Sequence, residues 1–102
     1  MAKYILSPNA QESLSGIKAY SLEKFGERQT KIYLEKIDER MCFVAVNPNK
    51  GKDRDTLKKV FYSISAGSHT IYYKIKDTHI DIVDVLHQKM EPLLHLYDEP
   101  EE

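Results

Sequence analysis

The stretch Gly67-Ser68-His69-Thr70-Ile71-Tyr72-Tyr73-Lys74-Ile75-Lys76-Asp77-Thr78-His79-Ile80-Asp81-Ile82-Val83-Asp84-Val85-Leu86-His87 decides the fold, because it holds two runs of β-branched and aromatic residues around one short turn. Ser68 to Ile75 alternates cleanly and predicts a strand with Ile71, Tyr73 and Ile75 on one face. Asp77-Thr78 is the turn. His79 to His87 carries apolar residues on both faces, Ile80, Ile82 and Leu86 against Val83 and Val85, as expected of an interior strand. A tight turn there pairs positions whose numbers sum to about 155, which sets His69 beside Leu86 or His87. Upstream, Val60 to Ser65 has the same composition and is separated by the turn Ala66-Gly67, so the three strands form an antiparallel meander.

Working outward, Lys3 to Leu6 alternates polar and apolar and predicts a short strand, which Ser7-Pro8 ends. Ser is a helix N-cap and Pro suits the first helical position, so a helix begins here. Ala10, Leu14, Ile17 and a later aromatic, Tyr20 or Phe25, follow helical spacing until Phe25-Gly26, where glycine permits a left-handed cap. A second helix from about Glu27 has the stripe Tyr33, Leu34, Ile37, Met41 and Val44, and Asn47-Pro48 stops it. The short connection at Gly26 implies an antiparallel helical hairpin. A last helical turn is expected over Met90 to Leu96, then an acidic, frayed tail over 98–102. The expected fold is α+β in two layers, β-α-α-β-β-β with a terminal helical turn, a mainly antiparallel twisted sheet packed against the hairpin. Residues 1–97 are expected to make a single domain, with no repeats and no internal boundary.

Apolar residues make up 41% of the 102 and charged residues 30%, with seven tyrosines and three phenylalanines, a composition that excludes a disordered chain. No apolar run approaches a membrane span, and Met1 to Leu6 lacks the apolar core of a signal peptide, so a cytoplasmic protein is expected. The single cysteine, Cys42, has no intramolecular disulfide partner and is expected to be a small core residue. No Cys/His spacing resembles a zinc site, and neither a metal nor a cofactor is expected.

The net charge of −1 hides an uneven distribution. Asp98, Glu99, Glu101 and Glu102 leave residues 1–97 with 15 basic against 12 acidic groups, and the loop Lys50 to Lys59 supplies that whole excess through Lys50, Lys52, Arg54, Lys58 and Lys59 against Asp53 and Asp55. Such a loop can approach an acidic protein surface or a phosphate chain, or be merely solvated. A pI near 6.4 argues against a dedicated nucleic-acid binder.

His69 and His87, near each other at one end of the sheet, could act as general acid and base. The bland alternative is that each bonds a backbone carbonyl at a strand end, since the sequence shows no third group to orient the pair. His79 and His95 read as turn and terminal-helix residues. Tyr33, Tyr62, Tyr72 and Tyr73 could stack on bases, but more commonly such tyrosines cover a sheet and bond at its rim.

The elements Leu6-Ser7-Pro8-x-Ala10, Tyr20-Ser21, Phe25-Gly26, Tyr33, Asn47-Pro48, Gly51-Lys52, Gly67-Ser68-His69-x-Ile71-x-Tyr73, Val85-Leu86-His87 and Met90, in this order and spacing, resemble the ParE branch of the RelE/ParE toxin superfamily. The resemblance implies a toxin of a type II toxin-antitoxin pair that stabilises plasmids, inhibits DNA gyrase by holding its cleaved-DNA state, catalyses nothing itself and is neutralised by a ParD-like antitoxin. The RelE branch shares the fold but cleaves messenger RNA on the ribosome, with Arg and Lys on the sheet gripping the scissile phosphate. Here the arginines are Arg28, Arg40 and Arg54, and no predicted strand carries one, so Lys58, Lys59 and Lys89 would have to substitute. The ribosome-dependent nuclease and an inactive antitoxin-binding homologue are the alternatives. Two positions depart from the family pattern: Tyr62 replaces an arginine often seen early in the second strand, and Leu94 replaces a basic residue. Contacts to the target are expected from Lys52, Arg54, Lys58, Lys59, His87 and Lys89, and contacts to the antitoxin from Leu14, Ile17, Tyr33 and Ile37. Neither sequence-specific nucleic-acid binding nor membrane association is expected.

Overall fold

The computed structural model describes residues 3–53 and 61–90. Strand β1 (Tyr4–Leu6) leads into the helical element α1 (Pro8–Val46), followed by a 3-10 turn at Pro48–Lys50 and strands β2 (Lys52–Asp53), β3 (Tyr62–Ala66), β4 (His69–Ile75) and β5 (Ile80–His87). The five strands form one sheet in the order β1-β5-β4-β3-β2. Every pairing is antiparallel except that of β1 with β5. The α+β class, the central meander and the interior place of β5 agree with the sequence reading.

Element α1 is a hairpin of two helical arms. Gly26 has φ 85° and ψ 176°, a conformation that breaks the helix and that glycine alone adopts readily. The Thr30 hydroxyl donates to the Gly26 carbonyl at 2.8 Å and lies 2.9 Å from Ser21 Oγ, whose hydrogen it can accept, with both side chains buried. In a continuous helix residues nine apart lie about 13 Å apart, so this contact exists only because the second arm folds back on the first.

The start of the hairpin is fixed to the sheet by one residue. Ser7 Oγ accepts from the Ala10 N–H at 3.0 Å, capping the helix, and donates to the Val83 carbonyl at 2.6 Å, while the Ser7 N–H donates to the Ile82 carbonyl at 3.0 Å. Tyr4 donates to Asp38, tying β1 to the second arm.

Val83 is where the sheet departs from the expected register. Tyr73 pairs with Ile82 but Tyr72 pairs with Asp84, so Val83 is the extra residue of a β-bulge. The numerical sum of paired positions therefore changes from 155 near the turn to 156 beyond the bulge, and His69 faces His87 directly. The bulge also corrects the expected face assignment. Ile80 and Ile82 share the helix-facing side with Val85, and Leu86 belongs to the other phase. Ile71, Tyr73, Ile80, Ile82 and Val85 pack with Ala10, Ile37, Met41 and Val44 as the core, against which Leu14, Ile17 and Tyr33 rest half-buried. Ile75, expected on the core face, is 38% exposed at the open end of the β4–β5 turn.

Four other expectations need correction. Cys42 is exposed, because Met41 and Val44 take the core-facing positions and residue 42 lies about 100° around the helix from Met41. Tyr20 and Phe25 are 60% and 64% exposed and complete no core stripe. The basic loop is not continuous: Lys52 and Asp53 pair with Ser63 and Tyr62 as the outermost strand. Tyr72 and Tyr73 are buried, with the Tyr73 hydroxyl donating to the Pro48 carbonyl at 2.6 Å, so neither can stack on a base. The predicted terminal turn after Met90 and the acidic tail lie outside the described residues.

Candidate functional site

At the sheet end where β4 begins and β5 finishes, the two arms of α1 and the sheet line a cleft of about 760 Å³. The first arm contributes Ile17, Tyr20 and Phe25, the second Gln29 and Tyr33, and the sheet Ser68, His69, Leu86, His87 and Met90. The exposed aromatics Tyr20 and Phe25 thus line a groove instead of the core. The cleft is apolar along its helix wall and polar at its sheet end.

The polar end is built on Gly67. Its φ of 62° lies in the left-handed region, and a β-carbon there would stand 2.6 Å from the Tyr33 ring. Glycine therefore both makes the turn and lets the tyrosine approach. The Tyr33 hydroxyl accepts from the Ser68 N–H at 3.0 Å and lies 2.6 Å from His69 Nδ1 and 3.3 Å from the Ala66 carbonyl. His69 sits edge-on to both Tyr33 and His87, with ring centroids 5.6 and 5.3 Å away. Burial lowers the His69 pKa, and the nearby His87 lowers it further, so this imidazole is neutral at neutral pH. His87 Nδ1 accepts from the Lys89 N–H at 3.2 Å.

The sequence foresaw the histidine pair but not its orienting group, which is Tyr33, 36 residues away on the hairpin. Among the described residues the imidazoles bond no backbone carbonyl: His69 meets a phenol and His87 a backbone N–H. No local pattern carries a helix-to-sheet contact of that separation.

The expected contact residues fall in different places. Ile17, Tyr33 and His87 line the cleft, and Lys89 is exposed just beyond β5. Leu14 is half-buried against the core, and Ile37 is 1% exposed within it, with no surface to offer a partner. Lys52 belongs to β2, the edge farthest from β1. The ladder Lys52–Ser63–Tyr72–Asp84 runs three residues from the ladder Ala66–His69–His87. With about 3.3 Å per residue and about 4.8 Å per strand, Lys52 and His87 lie roughly 17 Å apart, too far for one small patch. Arg54, Lys58 and Lys59 lie outside the described residues.

Among the described residues no group of three or more His, Cys, Asp or Glu could hold a metal, and no helix is long and apolar enough to cross a membrane.

Residues 4–92 match the family described as the ParE toxin of the type II toxin-antitoxin system parDE. The chain belongs to the ParE toxin family. Among its relatives, Toxin ParE1 of Mycobacterium tuberculosis (strain CDC 1551 / Oshkosh) is 35% identical over 91 residues, covering 88% of this chain and 93% of that protein. Toxin ParE1 of Caulobacter vibrioides (strain ATCC 19089 / CIP 103742 / CB 15) is 29% identical over 96 residues, covering 94% and 99%. A solved structure titled as the chromosomal ParDE TA system from P. aeruginosa superposes with a TM-score of 0.73 at 15% identity, covering 85% of this chain and 96% of that one, a likeness that establishes the fold. The chain is thus a ParE toxin of a type II toxin-antitoxin system, and the cleft and its histidine end are features of this toxin scaffold.

Proposed function

We propose that this ParE-family chain acts in the cytoplasm as a non-catalytic inhibitor of DNA gyrase and is neutralised by a ParD-like antitoxin that fills the cleft. The observation that supports a binding role over RNA cleavage is the placement of the arginines. Arg28 and Arg40 are on α1, none of the five described strands carries an arginine, and Arg40 is engaged with the Ser65 carbonyl at 3.1 Å and the Phe43 ring at 5.4 Å. A nuclease built on this sheet needs cationic groups that grip the scissile phosphate where the acid and base stand. At the histidine end the lining residues are neutral or apolar.

The antitoxin reading draws on the groove itself. Ile17, Tyr20, Phe25 and Met90 offer an apolar wall of the kind that receives an amphipathic helix. Induced expression of the chain alone should arrest growth, and co-expression of a ParD-like antitoxin should restore it. Arrest that the antitoxin leaves untouched, or no arrest from folded protein, contradicts the proposal.

The second reading is ribosome-dependent RNA cleavage, favoured by one observation, the Tyr33–His69–His87 constellation. It predicts that His69→Gln and His87→Gln each abolish toxicity. The gyrase reading predicts that neither does.

A further inference from the structure

We infer that His69 and His87 form a two-donor clamp for a carboxylate carried by the segment of antitoxin that occupies the cleft, which makes neutralisation tighten as pH falls. The inference rests on the proposed antitoxin binding and adds the chemistry of one contact.

The argument begins with the ring nitrogens that are already in use. The Tyr33 oxygen already accepts the Ser68 N–H, and its one hydrogen has two acceptors within reach, His69 Nδ1 at 2.6 Å and the Ala66 carbonyl at 3.3 Å; the shorter contact assigns it to Nδ1. His87 Nδ1 accepts the Lys89 backbone N–H. A neutral imidazole carries one hydrogen, and a nitrogen that accepts cannot also hold it. Both rings therefore carry their hydrogen on Nε2. Facing each other across β4 and β5, both rings line one end of the cleft, each with its hydrogen on Nε2.

Two adjacent N–H donors match the two oxygens of a carboxylate. The other titratable groups lining the cleft are Tyr20 and Tyr33, and no carboxylate lines it among the described residues, so the acceptor must come from a partner. Asp84, the nearest acid along β5, is buried at the bulge, where it accepts from Ser13 Oγ at 2.5 Å and from the Val85 N–H at 2.8 Å. Lys89, exposed two residues past His87, adds positive charge at the rim. A nucleic-acid phosphate chain fits less well, because no lysine or arginine lines the cleft and its remaining wall is apolar and aromatic. An acidic side chain on an amphipathic protein helix satisfies both the donors and the wall.

The pH dependence follows from charge. In the free protein, burial and His87 both oppose protonation of His69. A carboxylate bridging the two Nε2–H groups opposes that penalty and favours a proton on His69, so binding takes up a proton as pH falls. Uptake of one proton tightens binding by up to tenfold per pH unit, so about a tenfold gain is expected between pH 8 and pH 6.

The test combines nuclear magnetic resonance of the free full-length chain with calorimetric titration of that chain by the ParD-like antitoxin. At pH 8, long-range proton–nitrogen correlation should show the Nε2–H tautomer for both His69 and His87, and an Nδ1–H tautomer on either overturns the clamp without reference to any partner. Titrations at pH 6 and pH 8, in buffers of different ionisation enthalpy, should show proton uptake and tighter binding at pH 6. His87→Gln, which keeps a neutral donor near Nε2, should retain the pH 8 affinity and flatten the pH dependence, whereas His87→Ala should weaken binding at both pH values. Binding that is independent of pH and indifferent to both variants overturns the clamp while leaving the antitoxin reading intact. No binding to the wild-type chain overturns both.

Discussion

Replacing Gly67 with alanine should destabilise the fold through two separable effects. Alanine at φ 62° costs about 1 kcal/mol in backbone strain. Its β-carbon would also lie 2.6 Å from Tyr33 Cε1 and 2.9 Å from the hydroxyl, well inside contact distance, and Tyr33 is held there by its bonds to Ser68 and His69. Relieving such an overlap in a packed site costs about 1–3 kcal/mol. The sum of about 2–4 kcal/mol is a large share of the roughly 5–15 kcal/mol that stabilises a domain, and it corresponds to a fall in Tm on the order of 10–20 °C. Urea and thermal unfolding of Gly67→Ala, Tyr33→Leu and the double variant separate the effects. In the Tyr33→Leu background the ring edge is gone, so Gly67→Ala should cost only the backbone strain of about 1 kcal/mol, leaving a coupling of about 1–3 kcal/mol. Equal costs in the two backgrounds, or a Gly67→Ala protein as stable as wild type, would refute the close approach on which the histidine end of the cleft is built.

Ser7→Ala should cost about 2 kcal/mol in chemical denaturation, more than an ordinary cap, because the same oxygen bonds the Ala10 N–H and the bulge carbonyl of Val83; a loss of a few tenths would show that Val83 is satisfied otherwise. The His69 pKa lies below its ordinary 6.5 in the folded state, so the unfolded chain binds the extra proton first and His69 withdraws stability as pH falls below about 6.5. The Tm lost between pH 7 and pH 5.5 should accordingly be smaller in His69→Gln than in wild type, and an equal loss contradicts the assignment. Cys42 should react with a maleimide in the native protein, although slowly, since partial desolvation and then the Asp38 carboxylate hold its thiol pKa up; labelling only in denaturant contradicts its exposure.

Much of this architecture is legible in the chain because local chemistry and global fold agree. The Ser7-Pro8 start, the break at Gly26, the stripe Ile37, Met41, Val44 and the alternation of β4 each follow from one local rule. The bulge at Val83 does not, since Val83, Val85 and Leu86 suit a strand in either register and a one-residue insertion leaves no mark in composition. Strand β2 is hidden for the opposite reason: Lys52 and Asp53 have little strand preference and pair only because β3 lies alongside. At the site, the short turn placed His69 against His87, but the group that orients His69 is Tyr33, 36 residues away on the hairpin. Periodicity predicted that Tyr20 or Phe25 would continue the core stripe of the first arm; it cannot tell a residue that lines a cleft from one that packs in the core.

Gyrase inhibition is the central claim, and purified gyrase acting on a relaxed plasmid tests it most directly. Increasing amounts of the folded chain should abolish supercoiling and accumulate double-strand cleavage, and prior addition of a ParD-like antitoxin should prevent both. Undiminished supercoiling without cleavage, at a stoichiometric excess of the chain, would contradict the account.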